Sequence, residues 1–247
     1  MATWIEGTVV ENYQWHDTLF SLKIDADFDD FTAGQFTKLA LDINGERVQR
    51  AYSFVNSPSD KYIEVYVTLI SEGLLSPKLH AMKPGDKLLV SKEPNGYFTL
   101  DEVHPSEDLW MLATGTGLGP YFSIMNEDKV WEMYSKVIFV HGVRYEKDLS
   151  YQEMIKNIQE KHPDQFIYQP CVTREDVSYA LPLRITDAIR GGDLESSTGI
   201  DFSQENSQVM ICGNPQMVEE TKEVLMELGL TKNLRKKPGN ISSENYW

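Results

Sequence analysis

Leu109-Trp110-Met111-Leu112-Ala113 is an unbroken apolar run that empties into Thr114-Gly115-Thr116-Gly117-Leu118-Gly119-Pro120. A run without polar alternation fits a strand covered on both faces, as in a parallel sheet. The small residues behind it let the backbone approach a phosphate, and a helix opening there offers free N–H groups and the positive end of its dipole. Pro120 stands where the dinucleotide pattern has its third glycine. By itself the turn is therefore equally consistent with a tight strand–helix connection that holds no ligand.

Outward from this point the periodicity differs on the two sides. Downstream, helix-length and strand-length segments alternate: Tyr121 to Tyr134, Val137 to His141, Tyr151 to Lys161, Phe166 to Val172, Ile185 to Ile189, Val209 to Cys212 and Met217 to Glu227. This predicts a doubly wound parallel α/β sheet. Upstream, short β-branched or aromatic segments predominate: Trp4 to Val10, Leu19 to Ile24, Gln35 to Ile43, Arg50 to Asn56, Ile63 to Ile70 and Lys87 to Val90. Asn44-Gly45 signals a hairpin and Pro84-Gly85-Asp86 a turn. Six strands with almost no intervening helix predict a small antiparallel barrel or sandwich. The exception is Ser76 to Met82, a helix with Ser76 as its expected N-cap and Pro77 at its first position. The predicted domains are residues 1–101 and 106–247, joined by the polar connector around Asp101 to Pro105.

Composition narrows the function classes. The chain has 247 residues and a formal charge of −15, the wrong sign for a nucleic-acid binder. No segment approaches the ~18 to 20 apolar residues of a membrane span, and the N-terminus lacks the pattern of a signal peptide. Two cysteines, Cys171 and Cys212, do not make a metal-spaced cluster, so neither structural zinc nor an iron–sulfur centre is expected. A cytoplasmic setting is expected. The run Arg235-Lys236-Lys237 reads either as a solvated helix end, where cations suit the dipole, or as a docking patch for an acidic partner.

Three further places carry candidate chemistry. Cys212-Gly213-Asn214-Pro215-Gln216 repeats the strand–turn–helix arrangement. Val172-Thr173-Arg174, with Arg184 beyond it, sets guanidinium groups at the rim of a nucleotide sheet, where a 2′-phosphate would need them. The second strand, ending Val143-Arg144, has no acid for the ribose 2′-hydroxyl of NAD, which favours NADP. Arg50-Ala51-Tyr52-Ser53 offers a cation for a pyrophosphate, a ring to pack on a flat cofactor and a hydroxyl, although each residue alone also suits an ordinary strand. Two terminal aromatics, Tyr246 and Trp247, are expected to dock on something flat or on the barrel.

In order, Arg50-Ala51-Tyr52-Ser53, Gly73-Leu74-Leu75-Ser76, Thr114 to Pro120, Val172-Thr173-Arg174, Cys212 to Gln216 and the aromatic end resemble the ferredoxin–NADP+ reductase superfamily, in its bacterial ferredoxin/flavodoxin type. The resemblance implies a six-stranded antiparallel barrel that binds FAD and an α/β domain that binds NADP(H). It implies that Arg50, Ala51, Tyr52 and Ser53 form the FAD motif, with Arg50 on the pyrophosphate, Tyr52 beside the isoalloxazine and Ser53 near its N5, with Val67 lining the flavin, and Leu74, Leu75 and Ser76 on a phosphate. Thr116 would stand by the flavin, Tyr246 would cover its face and Trp247 would reach the adenine of FAD. For NADP(H) it implies Val143, Arg144, Thr173, Arg174 and Arg184 about the adenosine and its phosphate, and Asn214, Pro215, Gln216 and Glu220 along the dinucleotide. Cys212 would lie near the nicotinamide, and Ser53, Cys212, Tyr246 and Glu244 would be the catalytic set.

The implied activity is hydride transfer from NADPH to FAD and single-electron delivery to ferredoxin or flavodoxin, by a monomer that docks its carrier electrostatically. A reductase serving an oxygenase or free flavin, and a nucleotide-sensing module without turnover, are the alternatives on the same fold.

Overall fold

The computed structural model describes residues 3–245. It divides into two compact units: residues up to Thr99 with Gly119–Asn126, and Leu100–Leu118 with Glu127 onward.

The first unit holds a six-stranded antiparallel sheet of β1 (Trp4–His16), β2 (Leu19–Asp25), β3 (Phe36–Ile43), β4 (Glu46–Ser53), β5 (Ile63–Thr68) and β6 (Lys87–Ser91), in the order β4-β3-β6-β1-β2-β5. Its outer strands meet where Phe54 bridges Val65 and the Val55 N–H donates to the Glu64 carbonyl at 2.9 Å, so the sheet curls back on itself. Phe20, Leu22, Ile24, Leu39, Phe54, Ile63, Val65 and Val90 fill the interior. Asn44 and Gly45 both adopt positive φ, 53° and 84°, which matches the twist of the β3–β4 hairpin. β4 begins four residues before the expected Arg50. The segment Glu46-Arg47-Val48-Gln49 is mostly exposed and lacks apolar alternation, but it pairs with β3 from Ile43↔Glu46 onward.

α1 (Ser76–Ala81) follows β5. Its N-cap is Leu75, not the expected Ser76. The Ser76 hydroxyl instead accepts the Ile70 amide at 2.9 Å and so ties the helix back to the end of β5. At the other end Asn12 of β1 reaches across. Its Nδ2 donates to the carbonyls of Leu79 (3.2 Å), His80 (3.1 Å) and Met82 (2.8 Å) at the helix end, and the Leu79 carbonyl also accepts the Met82 N–H.

The expected helix from Tyr121 to Tyr134 is two, α2 (Gly119–Met125) and α3 (Asp128–Met133), because Glu127 is extended, with φ −99° and ψ 140°. α2 is buried on every side, whereas α3 buries only Val130. α2 groups with the barrel: Ser123 Oγ donates to Asn56 O at 2.8 Å and the Tyr121 ring lies 5.7 Å from that of Phe98.

The second unit is a parallel sheet in the order β11-β10-β7-β8-β9, formed by β7 (Asp108–Thr114), β8 (Lys136–Val143), β9 (Phe166–Val172), β10 (Ser207–Gly213) and β11 (Ile241–Asn245). The chain runs from β7 outward to β9 and then returns to β10 on the other side of β7. The strand order reverses at β7, and ligands of such sheets bind at the carboxyl ends there. α4 (Gln152–Lys161), α5 (Ile185–Gly191), α6 (Asp193–Thr198) and α7 (Pro215–Glu227) complete the unit. Trp110, Leu112, Ile138, Val140, Ile211, Ile189 and Val218 share one core. The periodicity gives no sign of α6 or β11. α6 buries only Leu194, and β11 is polar, held by its pairing with β10 from Val209↔Ile241 to Gly213↔Asn245.

Replacing Asn12 with Ala removes the side-chain donor from the His80 and Met82 carbonyls at the end of α1. The expected loss is about 1–3 kcal/mol of unfolding free energy, measured by urea denaturation followed by circular dichroism.

Candidate functional site

In the first unit the expected residues lie along β4 and the segment before α1. Arg50 is exposed; its Nη1 donates to Gln49 O at 2.7 Å, and among the described residues no carboxylate pairs with it. A guanidinium in that state can take an anion. Tyr52 is half-buried, and burial pushes its phenol up to about 12, so it is a neutral ring at pH 7. Ser53 is buried, opposite Phe36 in the β3–β4 pairing. Gly119, the first residue of α2, closes on it: a β-carbon there would stand 3.7 Å from Ser53 Cβ. Ala51 is exposed beside them, and Val67 is buried opposite Phe20. Leu74 is 63% exposed, while Leu75 and Ser76 are buried at the start of α1.

In the second unit the turns after β7 and β10 cross. Thr114 Oγ1 accepts the Asn214 N–H at 2.9 Å. Gly213, at φ +138°, makes room for this, since a β-carbon would fall 2.2 Å from that oxygen; one on Gly117 would fall 2.6 Å from Cys212 O. Asn214 Oδ1 then caps α7 by accepting the N–H of Gln216 (2.9 Å) and Met217 (3.3 Å), with Pro215 at the first position. Gln216 Nε2 donates to Glu220 Oε1 at 2.6 Å. Thr116 is half-buried in the short 3₁₀ turn Gly115–Leu118.

Cys212 is fully buried and sits between Ala113 of β7 and Glu244 of β11 in the sheet register. Among the described residues no hydrogen-bond partner meets Oε2 of the half-buried Glu244, and burial pushes its carboxyl up to about 7. Burial also pushes the Cys171 thiol up to about 12, which makes it an inert core residue.

The carboxyl ends of β8 and β9 carry Val143-Arg144 and Val172-Thr173-Arg174. Thr173 N and Oγ1 both donate to Val143 O at 3.2 Å, and Arg174 N donates to Arg144 O at 2.9 Å. Arg184 is the N-cap residue of α5. Arg144, Arg174 and Arg184 are exposed, and among the described residues none of them has a carboxylate partner. Unneutralised guanidiniums at strand ends and a helix start suit a phosphate-bearing ligand. Tyr246 and Trp247 lie outside the described residues.

His141 was not among the expected residues. It is fully buried in β8, held neutral with its pKa lowered to about 4 by burial, and its Nε2 donates to Gly115 O at 3.1 Å. A lone histidine in an apolar strand carries no sequence signal that it holds a turn. Tyr145, half-buried in the loop after β8, was missed because no local pattern shows that it stands beside Arg174.

Models of two domain families match this chain, the oxidoreductase FAD-binding domain over residues 9–100 and the oxidoreductase NAD-binding domain over residues 111–223. The flavodoxin/ferredoxin–NADP reductase of Escherichia coli (strain K12) is 46% identical over 248 residues, covering 100% of both chains. The chain belongs to the flavodoxin/ferredoxin–NADP reductase family. A ferredoxin–NADP reductase of Pseudomonas aeruginosa is 35% identical over 90% of this chain and 89% of its own. Among solved structures, a ferredoxin NADP+ reductase from Neisseria gonorrhoeae with bound FAD and NADP superposes with a TM-score of 0.94 at 26% identity, covering 100% of both chains. The crossing turns and the arginines without carboxylate partners lie within the matched NAD-binding segment.

The raised carboxyl of Glu244 has a sign that can be measured. Its folded pKa of about 7 lies above the ordinary 4.5, so its contribution is full below pH 4.5 and is lost as pH rises through 7. Glu244→Gln removes that loss. The stability of the variant relative to the parent should rise between pH 5 and pH 8, measured by urea denaturation at each pH.

Proposed function

We propose that this chain is a FAD-dependent reductase that draws on NADPH and delivers electrons to a ferredoxin or flavodoxin. The observation that carries the reading is the full-length similarity to flavodoxin/ferredoxin–NADP reductases, with both nucleotide-binding segments matched in order. FAD, when bound, supplies the chemistry that links a two-electron hydride donor to a one-electron carrier.

The chain's own residues bind, orient and exclude water. Arg50, without a carboxylate partner, holds the FAD pyrophosphate, and the segment Leu74-Leu75-Ser76 supplies backbone N–H groups to a phosphate. Tyr52, a neutral ring flanked by Ala51, packs against the isoalloxazine, and Val67 lines it. The buried Ser53 hydroxyl orients the flavin at its N5 edge. On the nicotinamide nucleotide, Arg174, Arg144 and Arg184 bind the 2′-phosphate end, with Val143 and Thr173 beside the adenosine. Asn214, Pro215, Gln216 and Glu220 follow the dinucleotide. Cys212 shapes the nicotinamide pocket by its bulk and burial. Glu244, with its pKa near neutrality, is suited to hold a proton there.

Docking the carrier falls to one turn. Leu234 and Lys237 exchange backbone hydrogen bonds of 2.9 and 2.8 Å, which presents Arg235, Lys236 and Lys237 to solvent. Among the described residues none of the three pairs with a carboxylate, in a chain of net charge −15. Asn233 anchors the turn by donating to Ser242 Oγ at 3.0 Å. A compact cationic patch on an otherwise acidic molecule steers an acidic carrier. No described helix is long and apolar enough to cross a membrane.

An anaerobic NADPH titration should bleach the oxidised flavin spectrum of the purified protein; a protein that takes up no FAD overturns the reading. Ser53→Val should slow flavin reduction in stopped flow by about ten- to a hundredfold with FAD retained. Reversing Arg235, Lys236 and Lys237 to Glu should lower turnover with a flavodoxin relative to turnover with ferricyanide, and should flatten its dependence on salt.

A further inference from the structure

Arg174 is held without being neutralised. Its guanidinium carbon lies 5.8 Å from the centre of the Tyr145 ring, and its Nη1 reaches the Tyr145 hydroxyl at 3.5 Å. Acids surround it in sequence and space: Glu146, Asp148, Glu175 and Asp176. None of them pairs with it among the described residues, and contacts elsewhere engage three of the four. Glu146 Oε1 accepts the Tyr179 hydroxyl at 2.7 Å, Glu175 Oε2 accepts the Glu146 N–H at 2.7 Å, and Asp148 Oδ2 accepts the Tyr145 N–H at 3.1 Å. The first two contacts lace the loop after β8 to the loop after β9, and the third stays within the loop after β8. Beneath them Val143, Leu149, Val172 and Val177 form a small apolar cluster of their own.

The physical consequence concerns charge. A carboxylate would restrain Arg174 as well as a ring does, but would cancel the charge that a phosphate has to meet. An aromatic face restrains the cation through its quadrupole and leaves the net charge intact. The hydrogen bonds on Glu146, Asp148 and Glu175 hold these carboxylates in other directions and so reduce their competition for the guanidinium. We infer that Tyr145 is a specificity-determining positioning residue, the platform that keeps Arg174 extended and un-neutralised for the 2′-phosphate of NADPH, and that the Glu146–Tyr179 and Glu146–Glu175 contacts keep the acids away from it. This rests on the reading of Arg174 as a phosphate ligand.

The measurement is the ratio of kcat/KM for NADPH to that for NADH, with ferricyanide as acceptor, on the FAD-loaded protein. Tyr145→Leu should lower the ratio about three- to fivefold through KM for NADPH, while Tyr145→Phe, which keeps the ring, should hold most of it. A general loss of folding lowers both coenzymes together and leaves the ratio where it was, so an unmoved ratio in Tyr145→Leu overturns the inference. An equal fall in Tyr145→Phe overturns it too, by assigning the effect to the hydroxyl. Arg174→Ala separates the two levels. If it lowers the ratio while Tyr145→Leu does not, Arg174 reads the phosphate without the platform. If Arg174→Ala leaves the ratio unmoved, the phosphate reading fails and the inference falls with it.

Discussion

One hydroxyl and one missing β-carbon hold together the carboxyl end of the parallel sheet. Thr114 Oγ1 accepts the Asn214 amide at 2.9 Å, an approach that any side chain at Gly213 would block. The turns that leave β7 and β10 are thereby fixed against each other at the point where the strand order reverses. Asn214 is left in place to cap α7, and Cys212 is held in register with Ala113 and Glu244. His141 extends the constraint sideways from β8 by gripping Gly115 O, and its burial keeps it neutral, so its grip does not vary near neutral pH. Backbone N–H groups made rigid in this way lose little on binding a phosphate, because their ordering cost is met when the chain folds.

Charge is distributed to the same end. The molecule is strongly acidic, yet Arg50, Arg144, Arg174, Arg184 and the turn Arg235–Lys237 face solvent without carboxylate partners among the described residues. Exposed ion pairs contribute little to stability, so leaving these cations unpaired costs the fold almost nothing and preserves them for anions. Where acids crowd a cation, as around Arg174, they are drawn into hydrogen bonds with Tyr179 and with backbone N–H groups.

Much of the architecture was legible in the chain. Apolar runs such as Leu109 to Ala113 and Val137 to Val140 mark buried strands, because burial on both faces demands unbroken hydrophobicity. The elements that escaped are those whose existence depends on a neighbour. Glu46 to Gln49 is a strand because β3 offers hydrogen bonds, and Ile241 to Asn245 because β10 does; neither has an apolar face to announce it. Tyr121 to Tyr134 has one helical pattern but breaks at Glu127, since its first half is buried on all sides and its second half is mostly solvated.

For the candidate site, the sequence by itself determined the residue types and their order: glycines where backbones must approach, arginines at strand ends, and the serine and tyrosine of β4. Local composition suffices there, because a turn needs glycine and a phosphate needs a cation wherever the chain later runs. Tertiary structure alone decided which of these groups meet. Thr114 and Asn214 are a hundred residues apart, His141 reaches Gly115 from a neighbouring strand, and Tyr145 comes under Arg174 only because β8 and β9 are adjacent in the sheet. Periodicity reports how deeply a residue is buried, whereas the partner of a side chain is set by strand order, which no local pattern encodes.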